Sequence, residues 1–65
     1  MAADLDEIRS RLEAIAEELA DLAMEALRDA IDTGAQGRPP EERRLTQARR
    51  SVERAASLLP PDDAN

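Results

Sequence analysis

The chain has 65 residues, a formal net charge of −6, and no cysteine, histidine or aromatic residue. Disulfide bonds, the usual zinc sites, and thiol or histidine catalysis are therefore excluded. A single core of this size is only marginally stable, and with no other stabiliser at hand we expect a homo-oligomer, most simply a dimer.

The chain also lacks the patterns of exported, membrane-bound or enzymatic proteins. Its first residues, MAADLDEI, lack the basic start and apolar run of a signal peptide, and no stretch approaches the ~18 apolar residues of a membrane span. Only two glycines are present, without a phosphate-binding loop. We expect a cytoplasmic protein that is not an enzyme, needs no cofactor and binds no membrane.

The first predicted helix runs from about residue 4 to residue 32. Asp4 is a suitable N-cap with Glu7 as its capping-box partner, and Gly34 is the left-handed residue that commonly follows a helix. Large aliphatic residues recur at alternating steps of three and four, the spacing of a coiled-coil seam. We predict that this seam is the dimer interface; its members are Leu5, Ile8, Leu12, Ile15, Leu19 and Leu22.

The second half of this helix is apolar over roughly 200° of its circumference, which predicts two neighbours: the second helix and another subunit. Alanines on this arc recur every seven residues and favour close approach to alanines of the second helix; alternatively, they are there as good helix formers. The alanines are Ala16, Ala23 and Ala30, opposite Ala48, Ala55 and Ala56. The far flank is predicted to contact a partner or form a second interface through Met24, Leu27 and Ile31.

A loop at 33–39 and a second helix at about 40–59 complete the prediction. Pro40 suits the first helical position, and Pro60 with Pro61 ends the helix. Residues 60–65 are expected to form a disordered tail. The whole chain, 1–65, is then a single all-α domain, an antiparallel hairpin of two helices.

The helices differ in length, and this difference predicts the assembly. Folded back from the loop, the second helix is expected to cover only residues 14 to 32. Leu5, Ile8 and Leu12 then have no neighbour inside the chain and need a second subunit. We therefore predict that the hairpin dimerises into a four-helix bundle or a coiled-coil-like assembly.

Charge is divided between the helices: the first carries ten acids and three arginines, the second six arginines and three acids. This favours pairing of unlike helices, with Arg44 and Arg49 meeting acids of the first helix. The acidic residues of the first helix point away from its apolar arc, and without histidine they indicate a solvated face rather than a metal site.

Four polar residues lie in a line opposite the apolar side of the second helix. We call them the arginine row: Arg43, Gln47, Arg50 and Arg54. The row is interpreted as a solvated face or as a source of intersubunit salt bridges; alternatively, it is a contact for nucleic acid or for an acidic protein partner. The net charge of −6 and the lack of aromatic residues for base stacking disfavour nucleic acid.

In size and layout the chain resembles the Rop-type bacterial proteins, small helical hairpins that dimerise and bind RNA. That resemblance implies a nucleic-acid-contacting regulator that uses the arginine row. The residues themselves favour a homodimeric interaction protein that scaffolds or regulates a larger, unidentified protein partner.

Overall fold

The computed structural model describes residues 2–34 and 37–59 and confirms the helical hairpin. Helix α1 spans Ala2–Asp32 and helix α2 spans Pro40–Ser57. The Cα positions extend over 51 × 13 × 12 Å, so the hairpin is an elongated rod. The predicted tail at 60–65 lies outside the described residues. Within the described ranges no third helix or strand covers the pair, so each helix keeps an open side.

The helix ends differ from the prediction by about two residues. Helix α1 begins at Ala2, so Asp4 lies in its first turn and is not the N-cap that we predicted. Alanine is the strongest helix former, and a carboxylate in the first turn stabilises the positive end of the helix, so the helix extends past Asp4. Gly34 has the predicted left-handed conformation, with φ of 78°, and its N–H donates to the carbonyl of Ile31.

Helix α2 begins at a pair of prolines and ends in a tight turn closed by backbone hydrogen bonds. Pro39 is extended and Pro40 occupies the first turn, as predicted. The helix ends at Ser57 rather than residue 59; the N–H of Leu58 donates to the carbonyls of Arg54 and Ala55, and the N–H of Leu59 to that of Ala56. The bonds from Leu58 to Ala55 and from Leu59 to Ala56 each span three residues, which is the tighter turn that often ends a helix.

Alanines fill the line of contact between the two helices. Ala16, Ala23 and Ala30 of α1 and Ala56 of α2 are the buried apolar residues, and among the described residues no large side chain is fully buried. Ala48 is exposed and Ala55 half-buried, so the predicted alanine contact holds only in part. Helix α2 is rotated about its own axis, so the residues that face α1 are not Ala48 and Ala55. They are Glu42, Arg49 and Ala56, which are seven residues apart.

The two helices overlap further than their lengths predict. Arg9 lines the same groove as Ser57 and Leu59, so the end of α2 and the turn after it reach back to about residue 9 rather than residue 14. Ala20 likewise lines a groove together with Arg49. Because each residue advances by the same rise in both helices, this pairing places the start of α2 level with the last turn of α1. Leu12 is therefore half-buried inside the hairpin, and only Leu5 and Ile8 lie beyond α2.

Neither helix has the length and hydropathy that crossing a bilayer requires, within the described part of the chain.

Ala23→Leu should lower the free energy of unfolding by about 1 to 3 kcal/mol, because the larger side chain must be forced into a close helix contact. Ala14→Leu is the matched control, since Ala14 is exposed on the same helix and its replacement adds the same atoms. Urea unfolding followed by circular dichroism measures both variants. Equal stability of the two would show that the helices do not approach closely at Ala23.

Candidate interaction surfaces

The buried alanines of α1 divide the surface of the hairpin into two sides. Successive residues of an α-helix are rotated by about 100°. The residue before each buried alanine therefore lies on one flank of the contact line, and the residue after it lies on the other. Ile15 and Leu22 precede Ala16 and Ala23, whereas Glu17 follows Ala16 on the opposite flank.

Shallow grooves between the helices show which flanks of α1 and α2 share a side. Glu13 and Glu17 of α1 line them together with Glu53 and Ser57 of α2. We call this side the groove side. Ser57 follows the buried Ala56, so the residues that precede the α2 contact line belong to the opposite side.

Large aliphatic side chains lie together on this opposite side. Ile8 and Ile15 are each 44% exposed and Leu22 is 47% exposed, although all three belong to the predicted seam. Leu12 and Leu19, by contrast, are half-buried towards α2. The seam is thus divided between the hairpin contact and a free surface. We call that surface the apolar face; its members are Leu5, Ile8, Ile15 and Leu22 of α1 with Ala48, Val52 and Ala55 of α2.

The predicted partner patch lies on the groove side, near the loop. Met24 and Ile31 follow the buried Ala23 and Ala30, and they are 55% and 67% exposed. Leu27 is half-buried between the helices. Helix α2 therefore covers only one of the three residues, and the patch is distinct from the apolar face.

All four members of the arginine row are exposed. Arg43 and Arg50 follow the inward-facing Glu42 and Arg49, which places them on the outer part of the groove side. The Arg43 guanidinium donates to the carbonyl of Arg38 at 3.2 Å. Arg50 and Arg54 make no ion pair within the described residues, so their charges face solvent.

Ion pairs within the described part of the chain join residues three or four apart along the chain, and none joins α1 to α2. Arg9 pairs with Asp6, and Arg11 pairs with Glu7 at 2.8 Å. Arg49 pairs with Glu53 of its own helix at 2.9 Å, and Arg44 has no partner among these residues, so the prediction that both meet acids of α1 is wrong. Pairs at this spacing form within one helix without any tertiary contact.

A polar cluster at the start of α2 was not predicted. Arg38 Nε donates to Glu42 at 2.7 Å, and the Thr46 hydroxyl donates to the other oxygen of the same carboxylate at 2.8 Å. The hydrogen bonds from Arg38 and Thr46, with the positive charge of Arg38, hold the pKa of Glu42 below its ordinary value. The hydrogen bond to Glu42 and the negative charge of Glu42 raise the pKa of Arg38. The spacing of four residues from Arg38 to Glu42 to Thr46 is the signal that could have identified the cluster.

Carboxylates of α1 do not converge on a common point. Among the described residues, no group of three acidic side chains is placed to hold a metal ion. Glu17, Glu18, Asp21 and Glu25 are all exposed.

Glu42→Gln should lower the free energy of unfolding at neutral pH, because it removes the ionised partner of Arg38. The pKa of Glu42 is lowered by folding, so this stabilisation is present above the ordinary carboxyl pKa and is lost as the pH falls through the lowered value. The stabilities of the wild type and the variant should therefore converge as the pH falls through the lowered pKa of Glu42. Denaturant unfolding at a series of pH values measures the difference.

Glu41→Gln is the matched control, since Glu41 is exposed and has no hydrogen-bond partner among the described residues. A difference between wild type and Glu42→Gln that stays constant from neutral to acid pH would contradict the ionic origin of the stabilisation.

No protein-family model, no curated protein and no solved structure matches this chain. The similarity to Rop-type proteins is therefore one of size and layout, and the surfaces described above are the basis for inferring a function.

Proposed function

We propose that the chain is a non-enzymatic cytoplasmic interaction protein that works as a homodimer and scaffolds or regulates a larger partner. The observation that carries this proposal is that small apolar residues are buried while large ones are exposed. The buried apolar residues are four alanines, whereas large aliphatic side chains remain exposed on both sides of the hairpin. Clustered apolar surface of this kind marks an interaction site.

The apolar face is the surface proposed for self-association. It runs along most of α1, and it carries Ile8, Ile15 and Leu22 at intervals of seven residues beside the small residues of α2. Packing against the same face of a second copy would remove these side chains from water and form a four-helix bundle.

The groove side is the surface proposed for the larger partner. Near the loop it combines the exposed apolar side chains of Met24 and Ile31 with the positive charge of Arg43, and Arg50 lies about two turns further along α2. An amphipathic helix of a second protein, with apolar anchors and flanking acids, has the complementary chemistry. Dimerisation through the apolar face leaves this side accessible.

Ile15→Asp should abolish the dimer, because it places a charge at the middle of the apolar face where no partner can neutralise it. Light scattering after size exclusion, with helicity measured over the same dilution series, gives mass and folding together. We expect the wild type to have twice the chain mass and Ile15→Asp to have the chain mass or to lose helicity on dilution.

Ile31→Asp is the matched control, since it introduces the same charge at an exposed isoleucine on the groove side. It should keep the mass of the wild type. A wild type that stays monomeric and helical at every concentration, or an Ile15→Asp variant with unchanged mass, would overturn the proposed homodimer.

A second candidate function, contact with nucleic acid, is favoured by one observation. The arginine row lies on the outside of α2, and the guanidinium groups of Arg50 and Arg54 make no ion pair within the described residues. A dimer would carry the row twice, and phosphates bind such surfaces. The acidic surface of α1 opposes this function.

Arg50→Glu should then weaken binding to an RNA oligonucleotide and reduce the slope of log affinity against log salt by about 1 for each site. Fluorescence anisotropy at several salt concentrations measures both quantities. Arg28→Glu is the charge-matched control, because Arg28 is exposed on α1 outside the row. Absence of binding by the wild type at low salt, or equal effects of the two variants, would exclude the arginine row as a nucleic-acid site.

A further inference from the structure

We propose that the second copy lies antiparallel to the first, with α1 packed against α1 and the two-fold axis passing beside Ile15. This inference rests on the proposed homodimer and specifies its geometry. The occupant of the apolar face is thus a second copy of this chain, turned end for end.

Because α1 extends beyond the end of α2, we infer that α1 of one copy packs against α1 of the other. Arg9 is the first residue of α1 that lines a groove together with the end of α2 and the turn after it, so Leu5 and Ile8 lie beyond the end of α2. Both are more than two-fifths exposed. If α1 packed on α2 of the second copy, α2 would again end before these residues. Only another α1 has the length to cover them.

The apolar face is complementary to itself when it is reversed about Ile15. With Ile15 of one copy level with Ile15 of the other, Ile8 lies level with Leu22, and Leu5 lies within one residue of the level of Ala26. The most exposed aliphatic side chains of α1 on this face then meet one another in a contact that repeats twice, as a two-fold axis requires. On α2 the same axis falls level with Glu53 and Arg54, so the smaller Val52 and Ala55 of the two copies approach each other.

Charged residues along the outer edge of the apolar face favour the antiparallel arrangement near the two-fold axis. Arg11 and Glu18 each follow a residue of the face by three positions, and both are exposed. In the antiparallel pair, Arg11 of each copy comes within one residue of the level of Glu18 of the other, giving two attractive contacts. At the ends, Asp4 comes within one residue of the level of Glu25, a like-charge contact. If the two α1 helices ran in the same direction, Arg11 would face Arg11 and Glu18 would face Glu18.

Single cysteines test the geometry directly, because the natural chain contains none. A disulfide requires Cβ atoms roughly 3.5 to 4.5 Å apart. Under mild oxidation Ile15→Cys should give a covalent dimer almost completely. Ile8→Cys and Leu22→Cys should each stay largely monomeric in denaturing electrophoresis, whereas an equimolar mixture of the two should cross-link.

The possible outcomes are distinct. Efficient cross-linking of Ile8→Cys and Leu22→Cys alone would show that the α1 helices run in the same direction. A wild type that is dimeric by light scattering, with an Ile15→Cys variant that does not cross-link, would place α1 on α2 of the second copy. Either result overturns the antiparallel geometry and leaves the proposed homodimer standing. A wild type that is monomeric by light scattering at every concentration overturns both.

A charge exchange tests the same geometry without a cysteine. Arg11→Glu should weaken the dimer about tenfold, since it converts two exposed attractive contacts into repulsive ones. Adding Glu18→Arg should restore the affinity. Arg11 also pairs with Glu7 in its own helix, so Glu7→Gln is the control and should leave the dissociation constant unchanged. Failure of the double variant to recover would contradict the contact between Arg11 and Glu18.

Discussion

The line of small, buried alanines on α1 is the constraint on which the rest of this molecule depends. Two helices in a single layer share only one line of contact, and small residues occupy that line from Ala16 to Ala30. The large aliphatic residues are consequently displaced to the flanks, where they are half-buried or exposed. A hairpin built in this way has little interior of its own. Its apolar surface is stabilised only when something else covers it.

Charge has a different role from the one that composition indicates. The composition predicts that the acidic helix and the basic helix attract each other. The ion pairs in the described residues instead connect neighbours along the chain. Exposed pairs of this kind add little to stability one by one. They leave the acidic residues of α1 and the arginines of α2 largely facing solvent, where they can orient a partner instead of holding the hairpin together.

The sequence predicts the fold well and the surfaces less well, for physical reasons. Glycine at 34 and proline at 40 have strong local preferences, so the ends of the helices could be placed to within about two residues. The rotation of α2 about its own axis depends on packing, and the pattern alone did not show that Ala56 would be buried and Ala48 exposed. Nor did the regular seam reveal that Leu12 would turn towards α2 while Ile15 stays exposed. A heptad pattern indicates which residues are apolar, but it does not assign them to one of two neighbours.

The seven-residue repeat of the contact line has a consequence for alignment of the helices. Sliding α2 along α1 by seven residues would place alanine where alanine was before, at two of the three buried positions of α1. Among the described residues no ion pair joins the helices to oppose such a shift, so half-buried leucines such as Leu12 and Leu19 are the side chains that would have to repack. The left-handed Gly34 and the hydrogen bonds of Arg38, Glu42 and Thr46 hold the start of α2 in place. The residues at the ends of the two helices therefore help to determine the alignment, although they lie outside the contact line.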